Sequence, residues 1–198
     1  MIQSEHDISL AVSRFVSEKR FIHCKNVAQT CEFLISHYKC KNFTKRYKNI
    51  SGTFFCGMIH DMAREFSDEE LIKFCNKENI ILDEECYRYP VLSHGFVSAF
   101  LANELLPSYP ETWAEAVRYH TTGKAGLDEL GLALFIADYT EPGRTFLSQE
   151  DRKIIYSNPT ITACALDVLN RMIQHTYDSR KYELSQKSLE FKLYLEGM

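Results

Sequence analysis

Apolar residues recur at helical spacing through nearly every segment of this 198-residue chain, and no stretch alternates as a half-buried strand would. Ile8, Val12, Phe15 and Val16 follow Ser4, a residue suited to cap a helix, so residues 4–19 are expected to form one. Residues 21–38 continue through Val27, Ala28, Cys31, Phe33, Leu34 and Ile35. "TFFCGMIHDMARE" is apolar at the same intervals, and "SDEELIKFCNKENI" carries Ser67 and Glu70 at the spacing of a capping box. Pro90 precedes "VLSHGFVSAFLANELL", which Gly95 interrupts, and Pro110 holds a favourable first-turn position in "PETWAEAVRYH". "LDELGLALFIADYTEPG" stops at Pro142 and Gly143, and residues 148–157, 159–177 and 185–196 are each helical by the same test. The Lys- and Arg-bearing stretch "YKCKNFTKRYKNISG" is expected to be a solvated loop. Together these segments predict one all-α domain over residues 1–198, a bundle of roughly eight to ten helices.

A hydrophobic content of 45% with 25% charged residues excludes disordered and fibrous classes. The net charge of -4 excludes a sequence-independent binder of nucleic-acid polymers, which needs surplus cations to displace phosphate counterions. No signal-like segment opens the chain and no run of about 18 apolar residues could span a membrane, so a cytoplasmic protein is expected. Cys24, Cys31, Cys40, Cys56, Cys75, Cys86 and Cys164 are scattered, odd in number and without a C-x-x-C pair. They fit reduced thiols filling a core better than a disulfide framework or zinc ribbon.

The chemistry lies in polar residues set where the helical pattern calls for apolar ones. His23, His60, His94 and His120 each stand within or at the end of an apolar segment, as does Asp138 in "LFIADYT". Buried unpaired charge costs several kcal/mol or more, so Asp61 and Asp138 require compensation, and a metal supplies it. A single such histidine is usually satisfied by a carbonyl; five separate segments with the same anomaly point to a metal site in a bundle core. The adjacent pair His60-Asp61 cannot face one way on a helix, because successive residues turn by about 100°. An aspartate between two cations can bind both through its two oxygens while its neighbouring histidine serves one, which suggests a dinuclear centre.

His60-Asp61, with His23 upstream and Asp138 downstream, resembles the H...HD...D pattern of the HD-domain metal-dependent phosphohydrolases. "RFIHCKNVA", "MIHDMARE", "LSHGFVSAFLA", "AVRYHTTGKAG" and "LALFIADYTEPGR" are similar, in that order, to the blocks of the YqeK type, the symmetrical bis(5'-nucleosyl)-tetraphosphatases. The resemblance spans about residues 15–180. It implies an HD-domain helical bundle with His23, His60, Asp61, His94, His120 and Asp138 as ligands of two metal ions, Asp61 bridging them. Iron is the metal implied, with manganese and zinc as alternatives compatible with His-rich coordination. Arg64 stands where this family usually has Lys, and its planar fork suits phosphate contact better than proton donation.

The activity implied is symmetrical hydrolysis of diadenosine tetraphosphate to two ADP, a metal-bridging hydroxide attacking phosphorus in line. Asp61 and Arg64 are the candidate catalytic residues. Arg64, Thr121, Thr122, Lys124 and Arg144 are the candidate phosphate contacts, although Arg144 could instead clasp Glu141 within its turn. Arg20 and Arg118 read as surface or supporting residues, and His6, His37 and His175 match no block. Tyr119, Tyr139 and Phe146 could stack on adenine, but their apolar contexts favour packing. The ligand expected is a dinucleoside polyphosphate or another nucleotide, and a homodimer is the one protein assembly considered. Two other functions keep part of this reading: an HD phosphohydrolase acting on another nucleotide or phosphoester, and a catalytically silent nucleotide-binding regulator. A mononuclear enzyme would not need His94 and His120, and a silenced site would be expected to lack ligands that are all present here.

Overall fold

Two helices that are apolar on every side anchor the structure, a computed structural model that describes residues 3–179 and 183–198. In α3 (Gly52–Ile59) every residue but Phe54 is buried, and α8 (Glu129–Thr140) is buried continuously from Leu130 to Ala137. A helix with no polar face has to be enclosed. The enclosing helices are α1 (Glu5–Val12), α2 (Glu18–His37), α6 (His94–Leu105), α7 (Glu111–Arg118) and α10 (Ile161–Ser179). The outer elements are α4 (Asp68–Lys77), α5 (Glu84–Arg88), α9 (Gln149–Tyr156) and α11 (Gln186–Glu196). The architecture is all-α, with eleven α-helices and one two-residue-per-strand hairpin among the described residues.

The closest packing joins α2 to α3 and decides where the site forms. At Gly57 a Cβ would come within 2.4 Å of the Ala28 backbone, so any larger residue would push apart the two helices that carry His23 and His60. Gly95 has a similar role. It lies inside α6 rather than interrupting it, and a Cβ there would meet the Val117 carbonyl at 2.7 Å, so its lack of a side chain lets α6 close on α7.

Other departures from the sequence expectations have local causes. The helix expected over 4–19 ends at Val12, and the chain restarts at Glu18 because Ser17 caps α2, its own N–H and hydroxyl held by Glu65. Pro110 is the cap of α7 rather than its first helical residue. Within the stretch expected to be a loop, Arg46–Tyr47 pairs antiparallel with Ile50–Ser51 across Lys48 and Asn49, both at positive φ, which matches the twist of a tight hairpin. The short α5 was not expected; Asp83 caps it. The capping boxes at Ser4 and Ser67 are formed. All seven cysteines are buried and unpaired, and burial pushes the Cys40 thiol up to about 11 and Cys86 up to about 12, so they behave as core residues. No helix among the described residues is long and apolar enough to cross a membrane.

Candidate metal centre

The stretch "MIHDMARE" places its two polar residues by ending a helix between them. His60 caps the C-terminus of α3, and Asp61 stands in the turn that follows, where Met62 bonds back to Ile59 and Arg64 to Asp61. The Ala63 N–H is tied to the buried Ser98 hydroxyl on α6 at 3.0 Å, fixing the turn. His60 therefore keeps the direction of the helix while Asp61 reaches past it. His23 comes from α2, His94 opens α6, His120 follows α7 and Asp138 lies in the last turn of α8.

These six side chains converge. Asp61 Oδ2 is 3.6 Å from Nε2 of both His23 and His60. Asp61 Oδ1 is 3.1 Å from His94 Nε2 and 3.6 Å from His120 Nε2. Asp138 Oδ1 joins only the first pair, 3.1 Å from His23 and 3.7 Å from His60. The two oxygens of one carboxylate thus face two pairs of histidines.

Each histidine turns its other nitrogen outward to an acceptor. Nδ1 of His60, His94 and His120 donates to the carbonyls of Gly57, Val91 and Val117, and Nδ1 of His23 donates to Glu141 at 3.1 Å. That fixes the proton on Nδ1 and leaves a lone pair on every Nε2. Yet Nε2 of His94 and His120 are 3.0 Å apart, and those of His23 and His60 3.3 Å, with no proton to share. A cation between them resolves the conflict, and ligands about 2.1 Å from an ion at right angles stand about 3 Å apart. Without an ion, burial opposes charge on Asp61 and only added protons on His60, His120 and His94 would hold its carboxyl well below the usual range, a role that a cation between them takes over. Asp138 depends in the same way on His23 and His60 when no ion is bound, with Arg144 adding a permanent positive charge that holds its carboxyl low against burial. The donor set fits divalent metal.

An HD-domain family model matches residues 20–143, well over half of the chain and all six converging residues. The chain belongs to the HD-domain family. Among its relatives are two proteins named symmetrical bis(5'-nucleosyl)-tetraphosphatase. The one from Bacillus subtilis is 26% identical over 82% of each chain. The one from Staphylococcus aureus is 26% identical over 79% of this chain and 76% of its own. A crystal structure from Clostridium acetobutylicum, described as a predicted HD superfamily hydrolase involved in NAD metabolism, superposes with a TM-score of 0.84 at 26% identity. It covers 100% of this chain and 99% of that one. The chain is accordingly an HD-domain hydrolase.

Around the HD centre the structure sorts the other candidates. Arg64 is exposed, and its side chain makes no hydrogen bond or ion pair among the described residues. Arg144 donates to both the carboxylate and the carbonyl of Asp138, and lies 3.8 Å from Glu141. The Thr121 hydroxyl donates to His120 Nε2 at 3.2 Å, and Thr122 is buried with its hydroxyl on the Gly123 carbonyl. Lys124 is not brought to the centre: Glu115 pairs with it, and it lies over the Tyr119 ring. Arg118 pairs with Glu111 on the surface. His6 and His37 are exposed and distant, whereas His175 lines a cleft beside the centre.

Of two further participants, Glu141 was not foreseen, and Arg20 was read only as a surface or supporting residue. Glu141 is buried, orients His23, and itself accepts from Asn26 at 2.9 Å and from the Gly143 N–H. Arg20 donates to Asp61 Oδ2 at 2.6 Å, and its buried Nε has no partner among the described residues. A histidine followed by Asn at the next helical turn, with Glu just after Asp138, was the available signal, but a Glu beside Pro and Gly reads as a solvated turn.

Two clefts adjoin the centre. One of about 940 Å³ has His120 and Asp138 in its wall, with Arg64, Tyr139, Arg144 and Phe146 around them. The other, about 580 Å³, is lined by Arg64, Arg88, Tyr89, Thr121 and Thr122. They share Arg64, Met172 and Thr176, so Arg64 stands at their seam.

Proposed function

We propose that this HD-domain protein is a metal-dependent phosphohydrolase that cleaves diadenosine tetraphosphate symmetrically to two ADP. In this reading residues 1–198 act as a single domain, with His23, His60, Asp61, His94, His120 and Asp138 as ligands of two ions and Asp61 as the bridge. The supporting observation is the way Asp61 presents one oxygen to His23 and His60 and the other to His94 and His120, next to a cleft that divides at Arg64. Iron is the metal proposed, and manganese and zinc suit the same donors.

Bound ions supply positive charge to polarise a phosphoryl oxygen and to make a water acidic enough to act near neutral pH. The protein arranges the rest. Asp61, Asp138 and Glu141 bring three carboxylates against the guanidinium groups of Arg20 and Arg144, so the centre without ions repels a polyphosphate and with two divalent ions attracts one. Arg64, the unpaired cation at the seam, takes the phosphates flanking the scissile bond, and its fork grips two oxygens at once. Arg144 holds the Asp138 carboxylate in place and offers its remaining edge to the larger cleft. No protein nucleophile is used, which agrees with the burial of every cysteine.

Product analysis with metal-loaded protein tests the reading. ADP as the sole nucleotide product is expected; ATP with AMP would overturn the symmetrical register, and no turnover with any of the three metals would overturn the activity.

A further inference from the structure

The two clefts are chemically unlike, and we infer from this, building on the proposed tetraphosphatase activity, that each takes one nucleoside diphosphate half of the substrate, the larger cleft tightly and the smaller loosely. The discriminating group is Phe146. It is 60% exposed on the wall of the larger cleft, edge-on to Tyr139 with ring centroids 5.2 Å apart. An exposed phenyl ring beside a half-buried aromatic gives a purine base an apolar face to stack on and has no hydrogen bond to surrender.

Its loop is held in shape from beneath. Arg152 spends its guanidinium on backbone carbonyls alone: Nε donates to Thr140 at 2.7 Å, Nη1 to Leu147 at 2.7 Å and Ser148 at 3.2 Å, and Nη2 to Glu141 at 2.9 Å and Arg144 at 2.8 Å. One side chain therefore fixes both ends of the segment that carries Glu141, Arg144 and Phe146. A platform ordered before the ligand arrives gives up little entropy on binding. Arg144 and Arg171, each about a third exposed, supply cationic edges on the same wall.

The smaller cleft has no exposed ring to match Phe146; its aromatic, Tyr89, is half-buried. Besides the shared Arg64, the smaller cleft has one arginine, Arg88, paired with Glu183, whereas the larger has two, Arg144 and Arg171, paired with Asp138 and Asp167; three carboxylates line each cleft. With one cation fewer against the same number of carboxylates, the smaller cleft attracts a diphosphate less strongly. The seam at Arg64 then places the centre of a tetraphosphate between two diphosphate arms, so symmetry of cleavage follows from one arm lying on each side.

Calorimetric titration of manganese-loaded protein with ADP tests this. Two ADP per chain are expected, bound with unequal affinity. Phe146→Ala should weaken the tighter site about tenfold and spare the weaker, Phe146→Tyr should keep it, and Arg88→Ala should perturb only the weaker. With diadenosine tetraphosphate, Phe146→Ala should raise KM more than it lowers kcat. A single ADP per chain, or both alanine variants acting on the same site, overturns the two-arm assignment. If ADP is the sole product yet one ADP binds, the activity stands and the arms fall; if two ADP bind but the dinucleotide yields other products, the arms stand and the activity falls.

Discussion

The two sides of Asp61 hold similar histidines in different company. On one side His23 and His60 share the Asp138 carboxylate, and His23 is backed by a second buried carboxylate, Glu141. On the other, His94 and His120 have Asp61 Oδ1 alone, their outer nitrogens rest on neutral carbonyls, and a hydroxyl competes for His120 Nε2. Negative charge around a ligand set raises both its basicity and its hold on a cation. If two ions are held as proposed, the Asp138 side, with Asp138 and Glu141 beside its share of Asp61 and with Arg20 and Arg144 offsetting part of that charge, is expected to be the tighter site and the His94 side the more exchangeable one. A carboxylate that bridges two ions, as proposed for Asp61, need not make them equivalent.

The largest effect tests whether the sides are joined at all. Asp61→Ala removes the one group that faces both, so metal content should fall at both positions and turnover by on the order of 10³-fold. Elemental analysis alongside activity checks this, and retention of one tightly held ion would show that the sides are independent. Next comes their inequality. His94→Ala should leave one ion per chain, whereas His23→Ala should impair retention of both, because the tighter position is lost first. Equal metal content in the two variants would erase the distinction. Turnover is expected to fall roughly a hundredfold or more in each.

Glu141→Gln isolates the outer carboxylate. It keeps the shape and an acceptor for His23 Nδ1 while removing the charge, and outer partners of this kind typically contribute about 10–100-fold in metal affinity. The loss should appear at the Asp138 side alone, read as the free-metal concentration for half occupancy. An equal loss at both sides would mean that Glu141 acts through the general field rather than through His23.

The same contrast explains what could be read from the sequence. His23, His60, His94, His120, Asp61 and Asp138 stood out because each is polar where a helix pattern requires apolar residues; local context marked them as anomalies, and the resemblance to the HD-domain family implied their role as ligands. Glu141 and Arg20 sit among polar neighbours, "YTEPG" and "SEKRF", and nothing local separates a buried supporting charge from a solvated one. Their roles depend on the approach of α8 and the "MIHDMARE" turn to α2, a tertiary fact. Phe146 was named as a possible base-stacking residue but weighed toward packing, because an aromatic in "RTFLS" has no local mark of exposure; the path of the loop over Arg152 leaves it exposed. The helices were legible from periodicity, whereas the hairpin at 46–51 turns on Lys48 and Asn49 at positive φ, neither of them the Gly that usually announces such a turn.

The smallest expected effect bears on the weaker side only. The Thr121 hydroxyl donates to the lone pair of His120 that an ion would use, so binding there has to break a hydrogen bond first. Thr121→Val keeps the volume and removes the donor. A net hydrogen bond is worth about 0.5–1.5 kcal/mol, so the His94 side should bind its ion about two- to tenfold more tightly, with the Asp138 side unchanged. Such a variant also separates affinity from catalysis. If Thr121 serves only as a competitor, tighter binding should leave turnover at saturating metal close to wild type; if its hydroxyl also contacts substrate, KM should rise while metal affinity improves. Weaker metal binding in Thr121→Val would reverse the assignment, making the hydroxyl a group that orients His120 and the His94 side as well braced as its counterpart.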